Sequence, residues 1–214
     1  MSYTGLLPDN ELLELASSPN PIIDPFLDSQ VKFENGKKIV SKGLSSYGYD
    51  LTLADHDFKV LQCSLFERFI NWAMRFVNPN FATLDPKNVD ESLYKQVKLQ
   101  SDSTGKYFWL PANTSALAVA VEKFAIPPDV MGIVSGKSTY ARVSITCLVT
   151  PLEAGWIGYL TLELANHAPY PVKIYANEGI AQVVFYRGYP CNTTYADRGG
   201  KYQNQAHEVT HSRV

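Results

Sequence analysis

Two cations, two hydroxyl groups and a glycine lie within seven residues, in the run Gly136-Lys137-Ser138-Thr139-Tyr140-Ala141-Arg142. A glycine turn lets backbone N–H groups approach an anion, and lysine and arginine add charge-assisted hydrogen bonds to a phosphate. The Gly-Lys-Ser step also occurs in the Walker A pattern, but that pattern requires a glycine where this chain has Met131. A nucleotide-hydrolysing P-loop is therefore excluded. Two interpretations stay open: a phosphate-binding turn, or a plain loop that leads into a strand.

A carboxylate stands within the alternating segment Ile157 to Leu164. Alternation places the leucines on one face of a strand, and Glu163 on the other face with Tyr159 and Thr161. If both faces are covered, this carboxylate needs a partner such as Arg142 or a raised pKa, and either arrangement suits proton transfer near neutral pH. A solvent-facing sheet glutamate is the alternative interpretation.

The elements that must position these groups are mostly short strands. Alternating apolar residues bounded by turn sequences predict strands at Tyr47 to Ala54, Phe58 to Gln62, Leu93 to Leu99, Thr114 to Phe124, Val130 to Val134, Val143 to Val149, Ile157 to Asn166, Val172 to Tyr175 and Ile180 to Tyr186. This rhythm is typical of an all-β antiparallel sandwich or barrel. Near the N-terminus, Asn10 to Ala16 is predicted as a helix with Asn10 as its cap.

A second helix interrupts the strands between Leu65 and Val77. Its apolar positions recur at helical spacing, at Phe66, Phe69, Ile70, Ala73 and Val77. Packing against the sheet or a neighbouring subunit is the favoured interpretation, and binding to a membrane or another partner is the alternative.

Composition excludes several classes of protein. Nineteen Lys and Arg against 21 Asp and Glu give a net charge of −2, so no polybasic surface predicts nucleic-acid binding. The longest strictly apolar run, Ala116 to Val121, is far shorter than the ~20 residues of a membrane-spanning helix. We therefore expect a cytoplasmic protein that binds neither nucleic acid nor membrane.

Neither cysteine nor histidine predicts a metal site. The cysteines are isolated and odd in number, at Cys63, Cys147 and Cys191, which argues against disulfides and against a thiolate site. His207 and His211 have i, i+4 spacing but lie in a polar tail with no third ligand nearby. We predict no metal bound by the protein itself.

Five motifs in a fixed order carry a family resemblance. They are Ser45-Ser46-Tyr47-Gly48-Tyr49-Asp50, the run from Gly136 to Arg142, Thr150-Pro151-Leu152-Glu153-Ala154-Gly155-Trp156, Thr161-Leu162-Glu163, and Asp197 to Gln205. Together they resemble the dCTP deaminases, a branch of the dUTPase superfamily, from about Pro25 to Gln205. The resemblance implies a distorted jelly-roll-like β fold in one domain over residues 1–214. It also implies a homotrimer whose active sites are shared between subunits.

The resemblance further implies hydrolytic deamination of dCTP to dUTP without zinc, with Mg²⁺ carried by the triphosphate. The zinc deaminase signatures H-x-E and P-C-x-x-C are indeed absent from the sequence. Glu163 matches the general base, and Ser138 and Arg142 match the residues that orient the water and hold the carboxylate. Residues matching substrate contacts are Lys137 and Thr139 at the phosphates, Thr150 and Pro151 at the base, Glu153 at the deoxyribose, and Tyr195, Lys201 and Gln205 in a closing segment. In the family this segment comes from a neighbouring chain, and dTTP inhibits some relatives.

The chain departs from the family pattern in two places, which leaves alternatives open. Extra residues form an insertion at about 63–82, and Ala206-His207-Glu208 alters the closing segment, which spans about 195–214. Because that segment covers the phosphates, the substrate could instead be dCDP or dCMP, or the product dUMP. A pure dUTPase is disfavoured, since no glycine follows Gly200. A nucleotide-responsive binding protein without activity is the remaining alternative. Trp156 and Tyr202 are interpreted as core residues, with stacking on the base as the alternative.

Overall fold

The computed structural model describes residues 4–62, 65–78 and 83–214, with the backbone alone for 65–68. Cys63 and both ends of the predicted insertion therefore lie outside the described residues.

The described part of the chain consists mainly of strands, which confirms the all-β prediction. In chain order they are β1 (Gly5–Leu6), β2 (Ile23–Asp24), β3 (Val31–Glu34), β4 (Lys37–Ser45), β5 (Gly48–Thr52), β6 (Lys59–Leu61), β7 (Tyr94–Gln96), β8 (Gln100–Asp102), β9 (Gly105–Leu110), β10 (Thr114–Ala125), β11 (Val130–Gly136), β12 (Ile145–Leu148), β13 (Ile157–Asn166), β14 (Val172–Tyr175) and β15 (Gly179–Arg187). The helices are α1 (Asp9–Ala16), α2 (Leu65–Met74), α3 (Ser138–Ala141) and a 3₁₀ turn at Glu91–Leu93.

Two large antiparallel sheets and one small sheet form the architecture. The first sheet has the order β1-β15-β5-β4-β3, with β11 also paired to β15. The second has the order β12-β13-β10-β6-β7, with β2 also paired to β10, and the small sheet has the order β14-β9-β8. Residues of all three sheets contribute to one buried apolar cluster, in which the rings of Phe58 and Phe108 stack at 4.6 Å.

Strand β13 determines the position of the candidate acid. Leu160, Leu162 and Leu164 are buried while Glu163 is exposed, so the predicted alternation is confirmed. Glu163 lies opposite Leu117 of β10 on one side and Leu148 of β12 on the other. Thr161 shares the face of Glu163 but is buried, because the returning C-terminal segment covers it and the Thr210 amide donates to its hydroxyl (3.1 Å).

Several local predictions were wrong. Helix α1 begins at Asp9 after Pro8, and Asn10 lies inside the helix instead of capping it. Strand β7 covers only Tyr94–Gln96, and β9 was not predicted. The inserted helix ends at Met74, three residues before Val77.

Candidate active site

A cavity of about 890 Å³ lies on the outer face of the second sheet and contains Glu163. Its volume falls in the range of roughly 300–1,000 Å³ typical of small-molecule sites. Seven predicted site residues line it: Thr150, Pro151, Glu153, Glu163, Tyr195, Lys201 and Gln205. Another cavity, of about 940 Å³ beside Lys95 and His167, is lined by none of the predicted residues.

The carboxylate of Glu163 is the candidate acid–base group of this cavity. The side chain keeps access to solvent, but the surrounding protein removes enough hydration from the carboxylate to raise its pKa to about 7. No cation forms an ion pair with it among the side chains that the structure describes. A carboxyl group with this pKa exchanges protons readily at neutral pH.

The loop between β12 and β13 forms one wall of the cavity and carries Thr150, Pro151 and Glu153. Leu152 fixes this loop by exchanging two backbone hydrogen bonds of 2.9 Å with Gly132 of β11. The loop closes at Gly155, whose φ of +81° and contact with Thr194 leave no room for a side chain. This wall of the cavity is therefore anchored to strand β11.

The segment after Tyr195 folds over the opposite side of the cavity. The Tyr195 amide donates to the Ala154 carbonyl (2.8 Å), and its hydroxyl accepts from the Tyr202 amide (3.0 Å). Gly200 passes so close to the Tyr195 ring that a side chain there would overlap it. Gln205 then pairs with β13, since its carbonyl accepts from the Tyr159 amide (3.1 Å).

Two cations in this segment face the cavity. Lys201 donates to the Arg213 carbonyl (2.6 Å), and Arg198 forms an ion pair with Glu153. The resemblance implies that such a segment reaches the site from a neighbouring chain, but in this structure it covers the cavity of its own chain.

The structure does not bring the run from Gly136 to Arg142 to the cavity. Ser138 and Thr139 begin helix α3, and Ser138, Thr139 and Arg142 are exposed. Arg142 lies 3.5 Å from the Ser138 hydroxyl and makes no described contact with Glu163. This run forms a short helix, which corrects the interpretation as a plain loop.

Lys137 has a partner inside the protein. Its ammonium group lies 2.6 Å from Oδ2 of Asp50 and 3.1 Å from the Ser41 hydroxyl. Asp50 is 2% exposed and also accepts from Gln182. The ammonium group of Lys137 is thus directed to this buried carboxylate, and its predicted phosphate contact stays a prediction.

Sequence reasoning missed several residues of the cavity wall, among them Tyr94, Leu117 and His211. Leu117 could have been found from the pairing of β10 with β13, but Tyr94 and His211 meet only through the return of the C-terminal segment. Trp156 is in the core and its indole N–H donates to the Tyr202 carbonyl (2.8 Å), which favours the core interpretation of that residue.

No helix among the described residues has the length and apolar character needed to cross a lipid bilayer. Within the same ranges, no group of three or more His, Cys, Asp or Glu side chains is arranged to hold a metal ion.

The fold is antiparallel β, and its cavity combines a glutamate of raised pKa with a covering segment that carries two cations, which is the arrangement of a candidate small-molecule site with an acid–base group. The dCTP deaminase-like family matches residues 6–188, and the chain belongs to that family. The match ends before the covering segment begins.

Curated relatives agree with this family. The chain is 46% identical over 190 residues to the dCTP deaminase of Francisella tularensis subsp. novicida (strain U112), covering 88% of this chain and 89% of the relative. It is also 46% identical over 185 residues to the dCTP deaminase of Francisella philomiragia subsp. philomiragia, covering 86% and 87%.

A solved structure supports the fold alone. The 2′-deoxycytidine 5′-triphosphate deaminase from Agrobacterium tumefaciens matches with a TM-score of 0.54 and 16% identity, over 87% of this chain. The match covers 49% of the length of the Agrobacterium protein, so this chain spans about half of it.

Proposed function

We propose that the protein hydrolyses dCTP to dUTP and ammonia. The observation that carries this proposal is Glu163, a carboxyl group with a pKa of about 7 in a cavity that also holds six residues predicted to bind substrate. Relatives at 46% identity named dCTP deaminase support it. A cytoplasmic location belongs to the same proposal, because the substrate is a free nucleotide.

The reaction needs one group that first accepts and then returns a proton. Glu163 in its ionised form takes a proton from water while the oxygen bonds to C4 of the cytosine ring. Glu163 passes this proton to N3, which leaves a hydroxyl group and the amino group on C4. Glu163 then takes the proton of that hydroxyl group and gives it to the 4-amino group, and the C4–N bond breaks to release ammonia as the C4 carbonyl of uracil forms. A pKa of about 7 populates both protonation states of Glu163 at neutral pH, as this two-way transfer requires.

The cavity offers different chemistry along its length. The wall with Thr150 and Pro151 is proposed to bind the base, and Glu153 the deoxyribose. Lys201, with Tyr195 and Gln205, is proposed to bind the triphosphate through its cation and hydrogen-bonding groups. Mg²⁺ would be held by the triphosphate oxygens, which fits a cavity whose described carboxylates, Glu153 and Glu163, do not form a metal-binding cluster.

A second copy of the chain is proposed to complete the site. Ser138, Thr139 and Arg142 are exposed and do not line the cavity of their own chain. Val143 and Leu148, which follow this run in the chain, are large apolar side chains that are also exposed. A homotrimer would bury these side chains and bring Ser138 and Arg142 of one protomer to Glu163 of the next.

The product assay that tests the proposal compares dCTP, dCDP, dCMP and dUTP with one enzyme preparation and Mg²⁺, and separates the nucleotides by chromatography. We expect dUTP and ammonia in equal amounts from dCTP, and weaker turnover of dCDP and dCMP. Release of pyrophosphate would indicate the dUMP-forming variant instead. Absence of any uracil nucleotide would refute the proposed activity. Adding dTTP to the dCTP reaction tests whether it acts as an inhibitor.

Subunit mixing tests the shared site. Glu163→Gln and Arg142→Ala are each expected to be nearly inactive. If the site is shared, refolding them together restores activity at about a quarter of the sites, since each restored site takes one intact residue from each variant. If one chain formed the whole site, mixing would restore nothing. Two copies of Glu163→Gln mixed with each other provide the matched control.

A further inference from the structure

His211 is a buried histidine in the wall of the Glu163 cavity, with one ring nitrogen unpaired. The side chain is 8% exposed, and its ring lies 5.1 Å from the ring of Tyr94. Nε2 is 3.9 Å from the carboxylate of Glu91, whereas Nδ1 is buried with no hydrogen-bond partner among the described residues. Among the described side chains, the only other buried nitrogen or oxygen without a hydrogen bond is Nε of Arg187, which lies 3.4 Å from the Asp129 carboxylate.

The backbone on both sides of His211 is held in place. The Thr210 amide donates to the Thr161 hydroxyl (3.1 Å), and the Ser212 hydroxyl donates to the Pro86 carbonyl (2.9 Å). The Arg213 amide donates to the Tyr202 hydroxyl (3.2 Å). His211 is therefore positioned by its neighbours, and its unpaired nitrogen is not the result of a free chain end.

A buried nitrogen without a hydrogen bond destabilises the folded protein, so a ligand that supplies the missing hydrogen bond gains affinity from it. Because Nε2 faces the Glu91 carboxylate, the favoured neutral tautomer carries its proton on Nε2 and leaves Nδ1 as an acceptor. The missing partner is then a hydrogen-bond donor, and the cavity that His211 lines can hold a ligand that carries one.

We propose that His211 is a substrate-binding residue whose Nδ1 accepts a hydrogen bond from the nucleotide in the Glu163 cavity. This inference rests on the proposed function. A cytosine deoxynucleotide offers two neutral donors, the 4-amino group and the 3′-hydroxyl group. Both present the same chemistry to Nδ1.

Three substitutions separate binding from a structural role. His211→Ala and His211→Gln remove the acceptor at Nδ1, and both are expected to raise KM for dCTP about tenfold or more while kcat changes less than about threefold. In His211→Asn the amide oxygen replaces Nδ1, so KM should stay within about threefold of the original value. His211→Ala and His211→Asn both remove the buried ring that packs against Tyr94, so both are expected to lower the unfolding temperature without nucleotide. A KM that rises in His211→Ala but not in His211→Asn therefore reports the lost acceptor and not the lost packing. His167→Ala, which alters a histidine in the other cavity, is the matched control.

Two substrate analogues identify the donor. If it is the 3′-hydroxyl, 2′,3′-dideoxy-CTP binds His211→Ala and the original protein equally well. If the donor is the 4-amino group, dUTP, which lacks that group, binds His211→Ala and the original protein equally well. An unchanged KM for dCTP in His211→Ala, in a protein that still makes dUTP, would overturn this inference and leave the proposed function intact. Failure of the original protein to make dUTP would instead overturn the proposed function.

A spectroscopic measurement decides the matter if the His211 variants do not fold. In the Glu163→Gln protein, where turnover of dCTP is expected to be slowed, the ¹⁵N resonance of His211 Nδ1 is expected to shift at saturating dCTP while that of His167 does not. An unchanged Nδ1 resonance at saturating dCTP would contradict the proposal.

Discussion

Lys137 and Asp50 form a buried ion pair that joins the start of helix α3 to the middle of β5, with 2.6 Å between Nζ and Oδ2. The pair anchors the segment that carries Ser138 and Arg142 to the first sheet, while Glu163 stands on the second. The relative placement of the two halves of the proposed site thus depends on how the sheets pack.

Removing Asp50 tests this anchor. Asp50→Ala leaves the Lys137 ammonium buried without its partner, and we expect unfolding to become easier by about 3–5 kcal/mol. Glu34→Gln, which breaks the more exposed pair with Lys42, is expected to cost less than about 1 kcal/mol. Urea unfolding of both variants measures the difference. If the two variants lost the same free energy of unfolding, the pair of Lys137 with Asp50 would stabilise the fold no more than the exposed pair does.

Glu163→Gln tests the proposed base. The amide cannot take a proton from water, so kcat for dCTP should fall by about 10²- to 10⁴-fold. Glu14→Gln, on the exposed side of α1, is expected to retain full activity. Rapid-quench or steady-state assays of dUTP formation measure both, and a loss of less than tenfold would assign the proton transfer to another group.

The acid limb of the pH profile should report Glu163. The ionised form is the base, so kcat/KM is expected to fall about tenfold per pH unit below the pKa of this carboxyl group. If a second copy places Arg142 beside Glu163, the cation lowers that pKa, and Arg142→Ala moves the limb to higher pH. If the acid limb of Arg142→Ala lies at the same pH as that of the original protein, Arg142 does not lie beside the Glu163 carboxylate.

Not all of this arrangement is visible in the sequence. The ends of strand β13 match the prediction, because a 10-residue alternation is a local property of the sequence. The same alternation predicts the position of Glu163 on the outer face. The burial of Thr161 and the presence of His211 in the cavity depend on a chain reversal some 50 residues away, which leaves no local pattern. The ion pair of Lys137 with Asp50 joins residues 87 positions apart, and no local sequence pattern predicts it either.

Glu122 gives a pH dependence of stability unrelated to activity. It is 1% exposed, and burial raises its pKa from 4.5 to about 7 although it accepts a hydrogen bond from the Thr52 amide. A carboxyl group with a raised folded-state pKa binds protons more tightly in the folded protein, so its contribution to stability is lost as the pH rises from about 4.5 to 7.

Glu122→Gln should therefore unfold at higher urea concentration than the original protein at pH 8, by up to about 3 kcal/mol, with the advantage shrinking at pH 5. Glu14→Gln provides the control, with no expected change between the two pH values. An advantage that is equal at pH 5 and pH 8 would show that the charge of Glu122 is not the cause.

Strand β13 carries Glu163 on one face, core leucines on the other, and the pairing partner of Gln205 at Gly158. A single inserted or deleted residue in its middle would exchange the two faces, sending the acid inward and a leucine into the cavity. It would also displace the covering segment from its register. Length changes in this protein family should therefore accumulate in stretches such as 63–82 and be absent from the ten residues of β13.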